Sequence, residues 1–148
     1  MSFINVEICD GIAIVTLARG KVNSLNGMVV NELREQLEVL ETDKNIKALV
    51  LTGQGKFFSF GFDIPEFLSF KKEEFTDYLT NFTDLYTYLF LYPKPVIAAL
   101  NGHTIAGGCM LALACDTAGV NWCPASVHST TTASVGQTSR QVPQRVHL

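Results

Sequence analysis

Several features are scarce or missing in this sequence of 148 residues, and each absence excludes a class of protein. Basic residues do not outnumber acidic ones, because 11 Lys and Arg stand against 14 Asp and Glu. A domain that binds nucleic acid normally has a basic patch, so we expect no nucleic-acid partner. No apolar run approaches the roughly 20 residues of a membrane-spanning helix, so we expect no membrane partner either.

Cysteine pairs and a targeting pattern are also missing. Cys9, Cys109, Cys115 and Cys123 form no C-x-x-C pair, and no cluster of His, Cys and carboxylates has the spacing of metal ligands. The first residues are already acidic and lack the basic start of a signal peptide. We therefore expect reduced thiols, with Cys109 and Cys115 as small core residues, no metal, and a cytoplasmic location, or an organellar matrix in a eukaryote.

Phosphate-binding glycine motifs are absent, but two other glycine stretches are present. There is no GK[ST] and no G-x-G-x-x-G after a strand, which excludes the common nucleotide sites. The stretches "SFGFD" and "TIAGG" each place glycine at the end of a short predicted strand. If their free N–H groups converged, they could hold a developing oxyanion such as a thioester enolate. The alternative is that both are ordinary strand-to-helix turns.

The hydrophobic pattern predicts alternating strands and helices. Asp10 and Gly11 separate two runs rich in β-branched residues, which predicts a hairpin. Asn26 is a candidate N-cap for a helix whose apolar residues recur at helical spacing. "IKALVLT" and "VIAAL" read as strands buried in a parallel sheet, and helices are predicted over 73–91 and 107–115. This order of elements is typical of the α/β class.

The composition changes after Asp116. The remaining 32 residues contain no acidic residue, no Phe, no Tyr and no Ile, and nine of them are Ser or Thr. Neither helical nor strand periodicity persists, which predicts an irregular segment. The domain assignment is therefore an ordered region over 1–116 and an irregular Ser/Thr-rich tail over 117–148.

Three stretches together resemble the enoyl-CoA hydratase/isomerase family, the crotonase superfamily. They are "VNSLN", "KALVLTGQGKFFSFGFDI" and "KPVIAALNGHTIAGGCMLALACD", in the order and spacing of that family. The resemblance covers residues 3–116 and implies the N-terminal half of a crotonase fold, a spiral of ββα units. It also implies an acyl-CoA thioester as partner and no separate cofactor, because CoA is part of the substrate. The family forms trimers or hexamers through a C-terminal region that the resemblance does not reach.

The same resemblance implies an oxyanion hole made by the backbone N–H groups of Phe62 and Gly107. Residues of two matching segments would line the substrate path, namely Ser24, Leu25, Ser59, Phe60, Gly61, Phe62, Asp63, Ile64 and Gly107. At the position of the hydratases' catalytic glutamate the chain has Met110, which cannot carry a proton. Of the side chains near these segments, Asp63 is expected to cap the following backbone, Glu66 to face solvent, and His103 to be structural.

An apolar residue at position 110 is more similar to the Δ3,Δ2-enoyl-CoA isomerases, which use a glutamate further along the chain. No Asp or Glu follows Asp116 here, and the family pattern ends at Thr117, through either a truncation or an altered reading frame. The resemblance implies proton transfer between C2 and C4 of a 3-enoyl-CoA, as in fatty acid β-oxidation. The alternatives are a hydratase or another crotonase-type reaction, such as dehalogenation or thioester hydrolysis, or an inactive acyl-CoA-binding or interaction fragment.

Overall fold

The computed structural model describes residues 2–120, which form nine strands and four helices. The strands are β1 Ile4–Cys9, β2 Ile12–Leu17, β3 Ser24–Leu25, β4 Ala48–Gly53, β5 Phe57–Ser59, β6 Gly61–Phe62, β7 Val96–Leu100, β8 His103–Thr104 and β9 Thr117–Val120. The helices are α1 Gly27–Thr42, α2 Ile64–Ser69, α3 Lys72–Phe90 and α4 Gly107–Ala114.

Five strands form the main sheet, in the order β1-β2-β4-β7-β9. β1 and β2 are the antiparallel hairpin predicted from the sequence, and its turn residues Asp10 and Gly11 have φ of 50° and 82°. Such positive values are what a two-residue hairpin turn requires. The other pairs, β2 with β4, β4 with β7 and β7 with β9, are parallel.

Two smaller parallel pairs, β3 with β6 and β5 with β8, lie in the loops that follow the sheet strands. β3 follows β2, β5 and β6 follow β4, and β8 follows β7. Because β2, β4 and β7 run parallel, their carboxyl ends share one edge of the sheet, and all four short strands are delivered there. Open α/β sheets bind ligands at this edge.

The core lies between the sheet and the two long helices. Leu33 and Leu37 of α1 and Phe82 and Leu85 of α3 are buried in one cluster with the sheet residue Leu49. The predicted N-cap of α1 is confirmed, because Asn26 Oδ1 accepts a hydrogen bond of 3.0 Å from the Val29 N–H. The predicted α/β class and the two later helices are confirmed as well, with ends within one residue of the predicted ones.

The structure corrects two predictions near the end of the described region. Thr117–Val120 form β9, paired with β7 in the register Ile97↔Thr117, so the irregular segment cannot begin at Thr117. Strand pairing is made by backbone groups, which a composition argument does not register. The remainder of the predicted tail, 121–148, lies outside the described residues. Cys109 is exposed on α4 and is not the core residue predicted, whereas Cys115 is partly buried.

None of the helices within residues 2–120 combines the length and apolar character needed to cross a membrane.

Truncating Leu33 tests the core. Its side chain is 0% exposed between α1 and the sheet. Leu33→Ala should lower the free energy of unfolding by about 2–5 kcal/mol, because it removes buried methyl groups and leaves a cavity. Leu68→Ala is the matched control, because Leu68 is 83% exposed and should change stability by less than about 0.5 kcal/mol. Denaturant unfolding measures both values, and equal losses in the two variants would contradict this core.

Candidate functional site

The two glycine stretches singled out in the sequence lie against each other at the carboxyl edge of the sheet. A Cβ atom on Gly61 would lie 2.9 Å from the Gly107 nitrogen and 2.7 Å from the Ile105 oxygen. Gly61 also has φ of 90°, a left-handed backbone that side chains disfavour. Only glycine therefore permits β6 to pack this closely on the start of α4.

The Phe62 N–H points away from the strand that pairs with β6. Asp63 donates its N–H to the Leu25 oxygen of β3 at 3.2 Å. Successive peptide groups of a strand point to opposite sides, so the Phe62 N–H faces the other way. Gly107 is the first residue of α4, a position whose N–H has no acceptor within the helix. Convergence of these two N–H groups on one oxygen remains a prediction.

Ala106, in the second glycine stretch, has a strained backbone. Ala106 is the N-cap of α4, with φ of 47° and ψ of −118°. A non-glycine residue in such a region costs on the order of 1–3 kcal/mol and persists only where the surroundings enforce it. Here the enforcing contacts include Gly108, whose N–H donates to the Ile105 oxygen at 2.9 Å. The strain orients the peptide that ends in the Gly107 N–H.

The Phe62 side chain joins the two glycine segments to α3. A Cβ on Gly107 would lie 2.8 Å from Phe62 Cε1, so the ring covers the Gly107 backbone. The ring stacks on Phe67 of α2 at 5.4 Å between centroids and meets Phe82 of α3 edge-on at 4.8 Å. The Phe62 ring thus anchors the start of α4 to the aromatic core.

The predicted lining residues divide into exposed and buried ones. Phe60 and Ile64 are exposed and can meet a ligand. Leu25 and Ser59 are fully buried, so the prediction that they line a path is corrected for their side chains. Ser59 Oγ donates to the Asn23 oxygen at 2.7 Å and accepts from the Gly61 N–H at 3.0 Å, which makes it a buried support for β6.

Ser24 and Asp63 belong to a polar cluster that also contains Arg19. Arg19 Nη1 lies 2.6 Å from Asp63 Oδ2 and also donates to the Ser24 hydroxyl. Asp63 Oδ1 accepts from the Glu66 N–H and caps α2, which confirms its predicted capping role. Burial alone would raise the pKa of Asp63, but the hydrogen bonds from Arg19, Glu66 and Ser24 and the Arg19 charge lower it below its ordinary value.

Carboxylates near the glycine segments are few. Met110, at the position where the resemblance implies a glutamate in hydratases, is 41% exposed on the first turn of α4. Asp116 Oδ2 accepts from the Val96 N–H at 2.7 Å and is thereby a structural group. Glu66 is half-buried, with Oε1 3.9 Å from a Cβ position on Gly27, so the prediction that it faces solvent is wrong. The short α2 turns it inward, and the sequence pattern did not predict that helix.

His103 packs against an aromatic ring, and the potential metal ligands of the described residues are not clustered. The His103 ring packs against Phe57, with 5.1 Å between centroids, on the β5–β8 pair. Across residues 2–120, no three His, Cys, Asp or Glu side chains are grouped closely enough to hold a metal ion.

Sequence reasoning missed Arg19 and Ala106. Arg19 stands in a polar loop where nothing in the local pattern distinguishes it from a solvated side chain. Ala106 is an ordinary residue in sequence, and only the backbone angles show its strain. For Ala106 the one available signal was its place inside the stretch "TIAGG", whereas Arg19 is far from both glycine stretches in sequence.

Known proteins with this sequence pattern share the fold. A curated relative, a probable enoyl-CoA hydratase of Bacillus subtilis, is 34% identical over 116 residues, covering 78% of this chain and 45% of that protein. The mouse mitochondrial enoyl-CoA delta isomerase 1 is 36% identical over 107 residues, covering 72% and 37%. The crystal structure of human mitochondrial delta3-delta2-enoyl-CoA isomerase matches with a TM-score of 0.76 at 31% identity, covering 79% of this chain and 46% of that one.

The chain therefore spans less than half the length of these relatives. The sequence profile described as enoyl-CoA hydratase/isomerase matches residues 7–139, which continues past Asp116, where the quoted motifs end. On this match, together with the crotonase fold of the described residues, the chain belongs to the enoyl-CoA hydratase/isomerase family.

Proposed function

We propose that this chain binds acyl-CoA thioesters and holds the thioester oxygen between the Phe62 and Gly107 N–H groups. The observation that carries the proposal is the close packing of β6 on α4, in which a Cβ at Gly61 would lie 2.9 Å from the Gly107 nitrogen. Two N–H donors aimed at one oxygen stabilise the negative charge that develops there. The positive end of the α4 dipole adds to this stabilisation. The proposal requires no separate cofactor.

The bound thioester would be activated at C2. Hydrogen bonds to the carbonyl oxygen lower the energy of the enolate that forms when a proton leaves the adjacent carbon. In an isomerase, one carboxylate then carries this proton from C2 to C4 or back. The exposed Phe60 and Ile64, on either side of β6, are suited to contact the apolar parts of the substrate.

The proton carrier is the part of this machinery that residues 2–120 do not provide at position 110. Met110 has no titratable group, and the carboxylates of Asp63 and Asp116 are engaged by Arg19 and by the Val96 N–H. Met110 favours isomerase over hydratase chemistry, as in the resemblance. It also favours a second candidate function, acyl-CoA binding without turnover. For the chain as given, we expect acyl-CoA binding without turnover.

Binding can be tested at Gly107. Gly107→Ala should weaken crotonyl-CoA binding by about tenfold or more, because its Cβ would lie 2.8 Å from Phe62 Cε1 and force the two donors apart. Isothermal titration calorimetry gives the affinity, and circular dichroism verifies folding. Gly119→Ala is the matched control, since no other atom of residues 2–120, its chain neighbours aside, lies within 4 Å of its Cβ position. Equal affinity in the wild type and Gly107→Ala would refute the oxyanion role.

Turnover can be tested with 3-hexenoyl-CoA and crotonyl-CoA, followed by absorbance. General acid–base catalysis contributes about 10²–10⁴-fold, so its loss should leave isomerase and hydratase rates far below ordinary enzyme rates. Glu66→Gln and Asp63→Asn examine the two carboxylates nearest β6. Robust turnover that disappears in Glu66→Gln would identify Glu66 as the base and overturn the expectation of an inactive chain.

A further inference from the structure

The strands that would place the Phe62 N–H are too short to hold themselves in register. β3 and β6 have two residues each, and their pairing is limited to Ser24↔Gly61 and Leu25↔Phe62. Isolated two-stranded pairs are only marginally stable, even when they are longer than this. A donor that must act on one oxygen needs a firmer support, because small displacements weaken a hydrogen bond steeply.

The polar cluster around Arg19 fastens these two strands together beside Phe62. Arg19 Nη1 lies 2.6 Å from Asp63 Oδ2, and Asp63 is the residue that directly follows β6. The same guanidinium donates to the hydroxyl and, at 3.4 Å, to the backbone oxygen of Ser24 in β3. Ser24 Oγ is 3.4 Å from Asp63 Oδ2, which closes the triangle. One cation therefore bridges both strands.

The Arg19–Asp63 ion pair is partly shielded from water. The Arg19 and Asp63 side chains are 25% and 15% exposed, so water competes less than at a surface ion pair. The Asp63 carboxylate is charged at neutral pH, because the pKa of that group lies below its ordinary value. The other ion pair within residues 2–120, Arg34 with Glu38, joins neighbouring turns of α1 and bridges no strands.

We propose that Arg19 is a positioning residue, whose ion pair with Asp63 and hydrogen bonds to Ser24 hold β6 on β3 and thereby fix the direction of the Phe62 N–H. Arg19 itself touches no reacting atom in this arrangement. It acts through Asp63, whose N–H donates to the Leu25 oxygen next to Phe62. This inference deepens the proposed function. Only the identity of the ligand that the Phe62 N–H would meet, an acyl-CoA thioester, rests on that proposed function.

The first test needs no ligand and uses the full chain. In Arg19→Met, the Asp63 amide should exchange with solvent faster by on the order of tenfold, the factor expected from losing a charge-assisted hydrogen bond. The Phe62 N–H order parameter should fall from the rigid range of about 0.85 toward 0.6. The amide of Leu51, in the main sheet, reports global stability and should not change. Arg19→Lys keeps the charge but loses the planar fork, so it should restore part of both signals.

Two further variants keep this test decisive. Asp63→Asn removes the ion pair with little change of shape, and it replaces Arg19→Met if that protein does not fold. Arg34→Met is the matched control, because it breaks the other 2.6 Å ion pair and should leave both amides as in the wild type. Unchanged Phe62 and Asp63 amide signals in Arg19→Met, or an unchanged Phe62 signal in Asp63→Asn, would overturn the proposal, as would equal changes in Arg34→Met.

The second test separates this proposal from the proposed function. Dimethylaminocinnamoyl-CoA is a chromophore whose absorbance shifts to longer wavelength when its carbonyl oxygen accepts hydrogen bonds. We expect a red shift with the wild type that is reduced by more than half in Arg19→Met, with the probe still bound. An undiminished shift would overturn the proposal even if the amides had changed. If the wild type produced no shift, the proposed function would fail, and the ligand-free amide signals would still decide whether Arg19 fixes the Phe62 N–H.

Discussion

The structure depends on one close approach, that of β6 to the first residue of α4. With 2.9 Å between a Gly61 Cβ position and the Gly107 nitrogen, and 2.7 Å between a Gly108 Cβ position and the Ser59 backbone oxygen, no larger residue fits at either point. The lack of side chains at Gly61, Gly107 and Gly108 permits this close packing, and the aromatic ring of Phe62 fills the space beside Gly107. The strained Ala106 backbone follows from the same approach, because the chain must turn sharply to enter α4 there.

The main sheet and the loops that follow its strands hold β6 and α4 in place. The parallel strands β2, β4 and β7 end at one edge and deliver β3, β6 and β8 to it. Asn101, just after β7, accepts from the Gly53 N–H at 3.0 Å and donates to the Gly55 oxygen at 2.9 Å, which binds the β4 and β7 loops together. The fold is thus a rigid frame for short segments that could not keep their positions alone.

Several exposed apolar residues lie on α4 and just before it. Met110 and Leu113 of α4, and Ile105 before it, lie open in the described part of the chain. The relatives are longer than this chain, whose matched part covers 45% of one and 46% of another. The proposed oxyanion donors, Phe62 and Gly107, both lie in the part of the sequence that this chain shares with its relatives.

Periodicity and turn chemistry determined the main elements from sequence alone. The Asp10–Gly11 turn, the Asn26 cap and the apolar spacing of α1 and α3 are local signals that depend on nearby residues only. The quoted motifs likewise led to the family. Tertiary structure alone decided the rest. α2 has too few residues for a periodic signal, and β9 pairs through its backbone. The remaining features are the burial of Ser59, the inward turn of Glu66 and the Arg19–Asp63 ion pair. They join segments up to 44 residues apart in sequence. Such contacts form between residues that are distant in sequence and close in the folded chain, so local sequence patterns do not reveal them.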